Sequence, residues 1–291
     1  MELSPDKNRE HVLREAVAAL RKAGVKSPVL DAAVLLGHAT GESGPDALLR
    51  RSTSLSTDQA SSYQSFIERR CRRETVSRII GSREFYSRPF TVTDQVLDPR
   101  PDTELLVEEA IAWLTGAAGP VRVIDIGTGS GAIAVTVAAE VPATRVVATD
   151  ISRGALRVAA ANAAAHGVGD RVQFVLADLG DGLASGPVFD LLLSNPPYIA
   201  ESELGELAEE VCEGDPFEAL VAGPEGTEFY PPLAALATKL LRPGGRIMVE
   251  VGAGQAAEVS AAFRKAGLVQ VRTVRDLGGI ERVVAGAAGN A

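Results

Sequence analysis

From residue 121 onward the sequence alternates short apolar strands with helices, and that alternation leaves few architectures open. VRVIDI (121–126), RVVATD (145–150), RVQFVLAD (171–178), FDLLLSN (189–195) and RIMVEVG (246–252) are brief, nearly continuous apolar runs. Helical segments lie between them, ending near residues 140 and 165 and covering about 230–241 and 255–266. Strands that are apolar on both faces and separated by helices form a parallel sheet covered on both sides. VQVRTVRD (269–276) and ERVVAG (281–286) have no helix between them, so they form an antiparallel hairpin at one edge. The fold class is therefore α/β, a mostly parallel sheet with an antiparallel edge hairpin.

The residues before this pattern read differently. Val12, Ala16, Ala19 and Leu20 share one helical face, and Gly24 stops that helix. Ser27 and Pro28 start a second helix, whose Leu30, Val34 and Leu35 can face the first. Thr57 or Asp58 can cap a third that runs to about Arg73. EFYSRPFTVTDQVL (84–97) is aromatic and β-branched with a Ser-Arg-Pro break, the pattern of a two-stranded hairpin. Pro99, Pro101 and Asp102 then introduce a helix through Trp113. The division expected is a small helical domain over 1–82, a β-hairpin linker over 83–98 and the α/β domain over 99–291.

Composition narrows the function classes. The chain has 291 residues, 46% hydrophobic and 23% charged, which fits a folded globular protein. Its longest uncharged run, residues 126–139, is too short to span a bilayer, so no membrane is expected. The N-terminus carries no apolar signal segment, and Cys71 and Cys212 can form neither a disulfide framework nor a metal site. A reducing cytoplasm is the expected location. The net charge of −9 makes nucleic acid an unfavourable partner. That charge is uneven, with 13 basic and 10 acidic side chains in residues 1–80, against 16 and 28 in the rest. Arg69, Arg70, Arg72, Arg73 and Arg78 carry most of the difference. They read as a solvated helix face, or alternatively as a docking surface for an anionic partner.

Asp125-Ile-Gly127-Thr-Gly129-Ser-Gly131-Ala follows the first strand of the alternation and opens a helix. Its glycines allow a tight turn and close approach to a ligand. The spacing also satisfies the looser dinucleotide fingerprint, so a dehydrogenase is a rival at this point. Asp125 leans the other way, because it would welcome a cationic amino-acid tail and repel a pyrophosphate. Asp150, at the end of the second strand, can accept from both ribose hydroxyls of a nucleoside, and Asp178 from an adenine amino group. Capping of the following turns is the structural alternative for these aspartates.

Asn195-Pro196-Pro197-Tyr198 closes the fourth strand at the carboxyl end, where open α/β sheets bind ligands. Consecutive prolines make a stiff ledge. The Asn195 side-chain oxygen and the Pro196 carbonyl are then two rigid acceptors suited to an NH2 group, and Tyr198 can pack on the planar group that carries it. A proline-stiffened turn is the plain alternative. The combination resembles the S-adenosylmethionine-dependent N-methyltransferases, a Rossmann-like fold. REFYSRPFTVTDQVLDPRPDTELLVE (83–108), IDIGTGSGAIA (124–134), SNPPYI (194–199) and GGIERVVAG (278–286) together resemble the HemK/PrmC family over nearly the whole chain.

That resemblance implies methylation of the side-chain amide nitrogen (N5) of a glutamine in peptide chain release factors, within their Gly-Gly-Gln loop. The cofactor implied is S-adenosylmethionine, leaving as S-adenosylhomocysteine. Asn195, Pro196 and Tyr198 are the implied catalytic residues. The implied cofactor site comprises Asp125, Gly127, Thr128, Gly129, Gly131, Asp150, Ile151, Asp178, Leu179 and Asn195. The implied substrate contacts are Asn195, Pro196, Pro197, Tyr198, Phe90 and Arg100. The helical domain is expected to grip the factor, and the enzyme to be a monomer without a metal. Asp98, Thr75, Cys212 and Gly214 depart from the family's usual pattern in segments flanking the substrate. A related enzyme acting on another amide, or on an adenine amino group, stays open as the alternative.

Overall fold

A computed structural model of the protein describes residues 8–42, 44–49, 53–116, 119–183, 186–206 and 215–289. Cys212 and Gly214 lie outside the described residues. The described residues fall into two compact units, one reaching to Ser82 and the other beginning at Arg83. None of the described helices is long and apolar enough to cross a membrane.

The first unit holds α1 (Arg9–Lys22), α2 (Pro28–Thr40), α3 (Gly44–Leu49), α4 (Thr57–Cys71) and α5 (Val76–Ile80). Val12, Ala16, Leu20, Leu35, Leu36, Tyr63 and Ile67 form its core. The Tyr63 hydroxyl, buried there, donates to the Ala32 carbonyl at 3.0 Å. Three local expectations are corrected. Ser56, not Thr57 or Asp58, caps α4 in a reciprocal capping box with Gln59. Ser27 precedes α2 without any side-chain cap, so Pro28 alone sets that start. Leu30 is 64% exposed and does not face α1.

Within the arginine cluster, Arg69, Arg70 and Arg73 bond to groups of their own unit, while Arg72 is exposed. Arg70 is buried, and its Nε meets Asp31 at 2.7 Å. Arg69 makes a two-pronged bond to Glu74, with its Nε 2.7 Å from one oxygen, and also reaches the carbonyls of Arg78 and Ile79. Arg73 donates to the Gly24 carbonyl at 3.0 Å. These charges tie α4 to its neighbours within the unit.

The second unit opens with a hairpin, β1 (Ser82–Phe85) and β2 (Arg88–Thr91). Its turn is Tyr86-Ser87, both with positive φ (51° and 56°), a pair that matches strand twist. Arg88 and Pro89 belong to β2, not to a break. Next come α6 (Pro101–Thr115), β3 (Val121–Ile126), α7 (Ala132–Glu140), β4 (Thr144–Asp150), α8 (Arg153–Ala165), β5 (Val172–Leu176) and β6 (Phe189–Ser194). A short parallel pair, β7 (Ile199–Ala200) and β8 (Val221–Gly223), flanks the loop after β6, with a one-turn helix α9 (Phe217–Leu220) before β8. The chain continues through α10 (Tyr230–Leu240), β9 (Leu241–Glu250), α11 (Ala256–Lys265), β10 (Val269–Arg275) and β11 (Glu281–Ala287).

The main sheet has seven strands in the order β10-β11-β9-β6-β3-β4-β5. Only β11 runs against the others, between β9 and β10. The hairpin therefore sits at the edge, but its second strand lies inside it and the edge strand runs with the majority. Apolar side chains from α6, α7 and α8 pack on one face, and those from α10 and α11 on the other. Covering both faces makes β3 and β6 mostly apolar, with Arg122 and Asp190 near their outer ends and Asp125 buried within β3.

Candidate active site

The glycine loop grows directly from β3. Gly127 and Thr128 both donate their backbone N–H to the Thr149 carbonyl at 2.9 Å, and Gly127, Gly129 and Gly131 all have positive φ. Nothing lies within 4 Å of where a Cβ would stand on Gly127 or Gly129, so both face open space. Gly131 serves packing instead, since a Cβ there would meet the Ala159 Cβ at 3.0 Å. It lets α7 approach α8.

Asp125 also departs from expectation. It is fully buried in β3 and its carboxylate accepts from the Thr128 hydroxyl at 2.6 Å. It lies beneath the loop, not on its surface, and Thr128 is buried with it. Burial pushes the Asp125 carboxyl up to about 7, against the opposing pull of the Thr128 hydroxyl and the Ala134 backbone.

Asp150 ends β4 and organises the turn around it. One oxygen accepts from the Gly129 N–H at 2.9 Å and the other from the Ser152 N–H at 2.8 Å. Each carboxylate oxygen keeps a further lone pair for a ligand. Ile151 beside it is 68% exposed, an apolar surface at a strand end. Asp178 is exposed two residues beyond β5, where the strand was expected to include it. Leu179 has a positive φ of 51°, and its carbonyl takes the Thr149 hydroxyl at 2.8 Å.

Ser194 pairs with Ile126 in the parallel ladder, and its hydroxyl donates to the Ile126 carbonyl at 2.8 Å. Asn195 and Gly127 therefore leave neighbouring strands at the same level. The Asn195 Nδ2 donates to the Thr103 hydroxyl at 2.9 Å, while its Oδ1 is buried and has no protein partner. Pro196 is buried and Pro197 and Tyr198 are half-buried. Burial pushes the Tyr198 hydroxyl up to about 12, so it stays protonated.

Several residues at the site gave no sequence signal. Gln255 donates to the Tyr198 carbonyl at 2.8 Å and to the Gly226 carbonyl at 3.2 Å. Its oxygen accepts from the Gly252 N–H at 2.9 Å and the Tyr230 hydroxyl at 3.2 Å. One side chain thus pins the Asn-Pro-Pro-Tyr loop to the turns that precede α10 and α11. Gly226 leaves no room for a side chain, because a Cβ would come 2.8 Å from the Tyr198 carbonyl oxygen. Glu250 closes β9 and is buried, and burial raises its carboxyl to about 7. Only its position, an acid ending an apolar strand, could have marked it.

Of two further expected substrate contacts, Phe90 lies in the core and Arg100 stays partly exposed. Phe90 is fully buried, edge-on to Phe85 and tilted against His166, so it anchors the hairpin in the core. Arg100 holds Asp215 at 2.5 Å, with the Asp215 carboxylate buried and the guanidinium one-third exposed. That bond fixes the chain just after residues 207–214 and leaves Arg100 accessible.

The chain has relatives over both units. Residues 11–81 match the PrmC N-terminal domain, and residues 100–214 match the methyltransferase small domain. A release factor glutamine methyltransferase of Cereibacter sphaeroides is 42% identical over 273 residues, covering 94% of this chain and 95% of that protein. One from Rhodopirellula baltica is 39% identical over 268 residues, covering 91% and 90%. A methyltransferase of Pyrococcus furiosus shares the fold, with a TM-score of 0.51 at 19% identity over 69% of this chain and 89% of that one.

Proposed function

The chain belongs to the release factor glutamine methyltransferase family, and on that premise we propose how its own residues transfer a methyl group to the side-chain amide nitrogen of a release-factor glutamine. The target is the glutamine of the factor's Gly-Gly-Gln loop. The observation that carries the reading is the Asn195 carboxamide, tied at its nitrogen to Thr103 and unpartnered at its buried oxygen. A buried acceptor without a donor is costly, at about 1–3 kcal/mol. It is tolerable where a ligand completes it, and a primary amide is a fitting donor.

Asn195 Oδ1 accepts one substrate N–H and the Pro196 carbonyl accepts the other. With both hydrogens held, the nitrogen lone pair faces away from the two acceptors. Tyr198, kept protonated, packs on the amide plane. The open faces of Gly127 and Gly129, the Asp150 carboxylate and the apolar Ile151 fit a nucleoside with an amino-acid tail, and S-adenosylmethionine is the cofactor we assign. When bound, it supplies an electrophilic methyl group. An amide nitrogen is a weak nucleophile, so alignment by Asn195 and Pro196 is the main task, and positioning of this kind supplies up to about 7–11 kcal/mol. Their carbonyl dipoles also favour the positive charge that develops on the nitrogen. The methylated nitrogen is acidic and sheds its proton without a strong base. His11 and His38 belong to α1 and α2 of the first unit, and His166 at the end of α8 meets the Pro89 carbonyl at 2.9 Å.

The test is transfer of labelled methyl from S-adenosylmethionine to purified release factor, with the target glutamine replaced as control. Wild-type enzyme labels only the intact factor. Asn195→Ala binds the cofactor normally and gives no labelling, and near-normal turnover by that variant would show that Asn195 does not hold the acceptor amide.

A further inference from the structure

Asn195 can hold an amide only if it presents oxygen, and not nitrogen, to the cleft. The two ends of a carboxamide are nearly the same size, so a neighbour has to tell them apart. Thr103 cannot do this alone, because a hydroxyl both donates and accepts. An ionised carboxylate can, because it only accepts. Glu250 meets that need. Val249 pairs with Ser194 across the β6–β9 ladder, so Glu250 and Asn195 are the next residues out on adjacent strands. Its carboxyl is 1% exposed, one of its oxygens, Oε2, is buried without a hydrogen-bond partner, and the Thr103 and Asn195 side chains favour its ionised form. That burial keeps it from the substrate.

We propose that Glu250 is a positioning residue: its carboxylate holds the Thr103 hydroxyl and the Asn195 NH2 group, and so fixes Asn195 Oδ1 toward the methyl acceptor. The proposal rests on Asn195 being the group that holds the acceptor amide. The charged and titratable groups around Glu250 are Asp102 from α6, which opposes its ionisation, and Arg282 from β11, which favours it. Tyr230 from α10 donates to the Glu250 backbone carbonyl at 3.3 Å, and Tyr198 feels its charge. Burial dominates and raises the carboxyl to about 7. Below that pH Glu250 is protonated, becomes a donor as well, and no longer discriminates between the ends of Asn195.

The experiment measures kcat for methyl transfer to release factor at saturating cofactor from pH 6 to 8.5. Wild type should show kcat rising through about pH 7. Glu250→Gln, which puts an NH2 group against Asn195, should lose at least about tenfold in kcat, with cofactor affinity and melting temperature nearly unchanged and no rise with pH. Thr103→Val should lower kcat and Thr103→Ser restore it, which keeps the proposal testable should Glu250→Gln fold poorly. Asp125 titrates in the same range, but beneath the cofactor loop, so its effect belongs to cofactor affinity and drops out at saturation. A Glu250→Gln kcat within twofold of wild type, a wild-type kcat flat across pH 7, or an unaffected Thr103→Val would overturn the proposal. Absence of any transfer by wild type would instead overturn the reading of function on which it rests.

Discussion

A carboxylate sealed beneath a loop makes stability depend on pH. Asp125 sits at about 7 in the folded protein against 3.8 for the free side chain. Below the unfolded value both states are protonated and burial costs nothing extra. Between about 4 and 7 the unfolded chain gives up its proton while the folded one keeps it, so stability falls as pH rises, and above 7 the loss is complete. Glu250 is shifted in the same direction by the same cause. Asp125→Asn should therefore melt at a higher temperature than wild type at pH 8, with the gap closing by pH 4 in a calorimetric series. The sequence marked Asp125 as special but not where it points, because a strand covered on both faces has no polar side to send it to. Phe90 was misplaced for a related reason. An aromatic in a hairpin can face ligand or core equally well, and only the partners Phe85 and His166 decide it.

Elements are held in register by single polar side chains that bridge them. Asn162, buried on α8, accepts from the Thr91 N–H at 2.8 Å and donates to the Thr91 carbonyl at 3.1 Å and the Ser130 carbonyl at 2.8 Å. It joins hairpin and glycine loop through one carboxamide. Asn162→Ala removes the partner of the buried Ser130 carbonyl and of both Thr91 backbone groups and should cost about 3 kcal/mol, read from the denaturant midpoint. Gln255 does the same for the Asn-Pro-Pro-Tyr loop. Gln255→Leu, close in size, should raise KM for the release factor about tenfold, equivalent to ~1.4 kcal/mol, and leave cofactor affinity unchanged. The strands, their helical spacers and the edge hairpin were legible because periodicity and apolar runs are local. Gln255, Tyr230 and Gly226 were not, because their partners lie 25 to 57 residues away in the chain.

At the scale of the whole molecule, Arg9, Arg69 and Arg70 of the basic N-terminal region pair with carboxylates of their own unit. Arg70→Met should strand the buried Asp31 and cost about 3–5 kcal/mol, visible as earlier melting of the helical unit by circular dichroism. Net charge said where the arginines were but not what they face, since Asp31 lies 39 residues from Arg70. The strand order of the sheet has its own consequence for how the molecule is made. β10 is synthesised before β11, yet reaches β9 only through it. While a ribosome is still extending the chain, β9 presents a bare edge and β10 has no neighbour to join. Glu250 pairs with Val283 of that late strand. A nascent chain therefore holds β3 and β4, with Gly127 and Asp150 at their ends, before it holds the strand that pairs with Glu250.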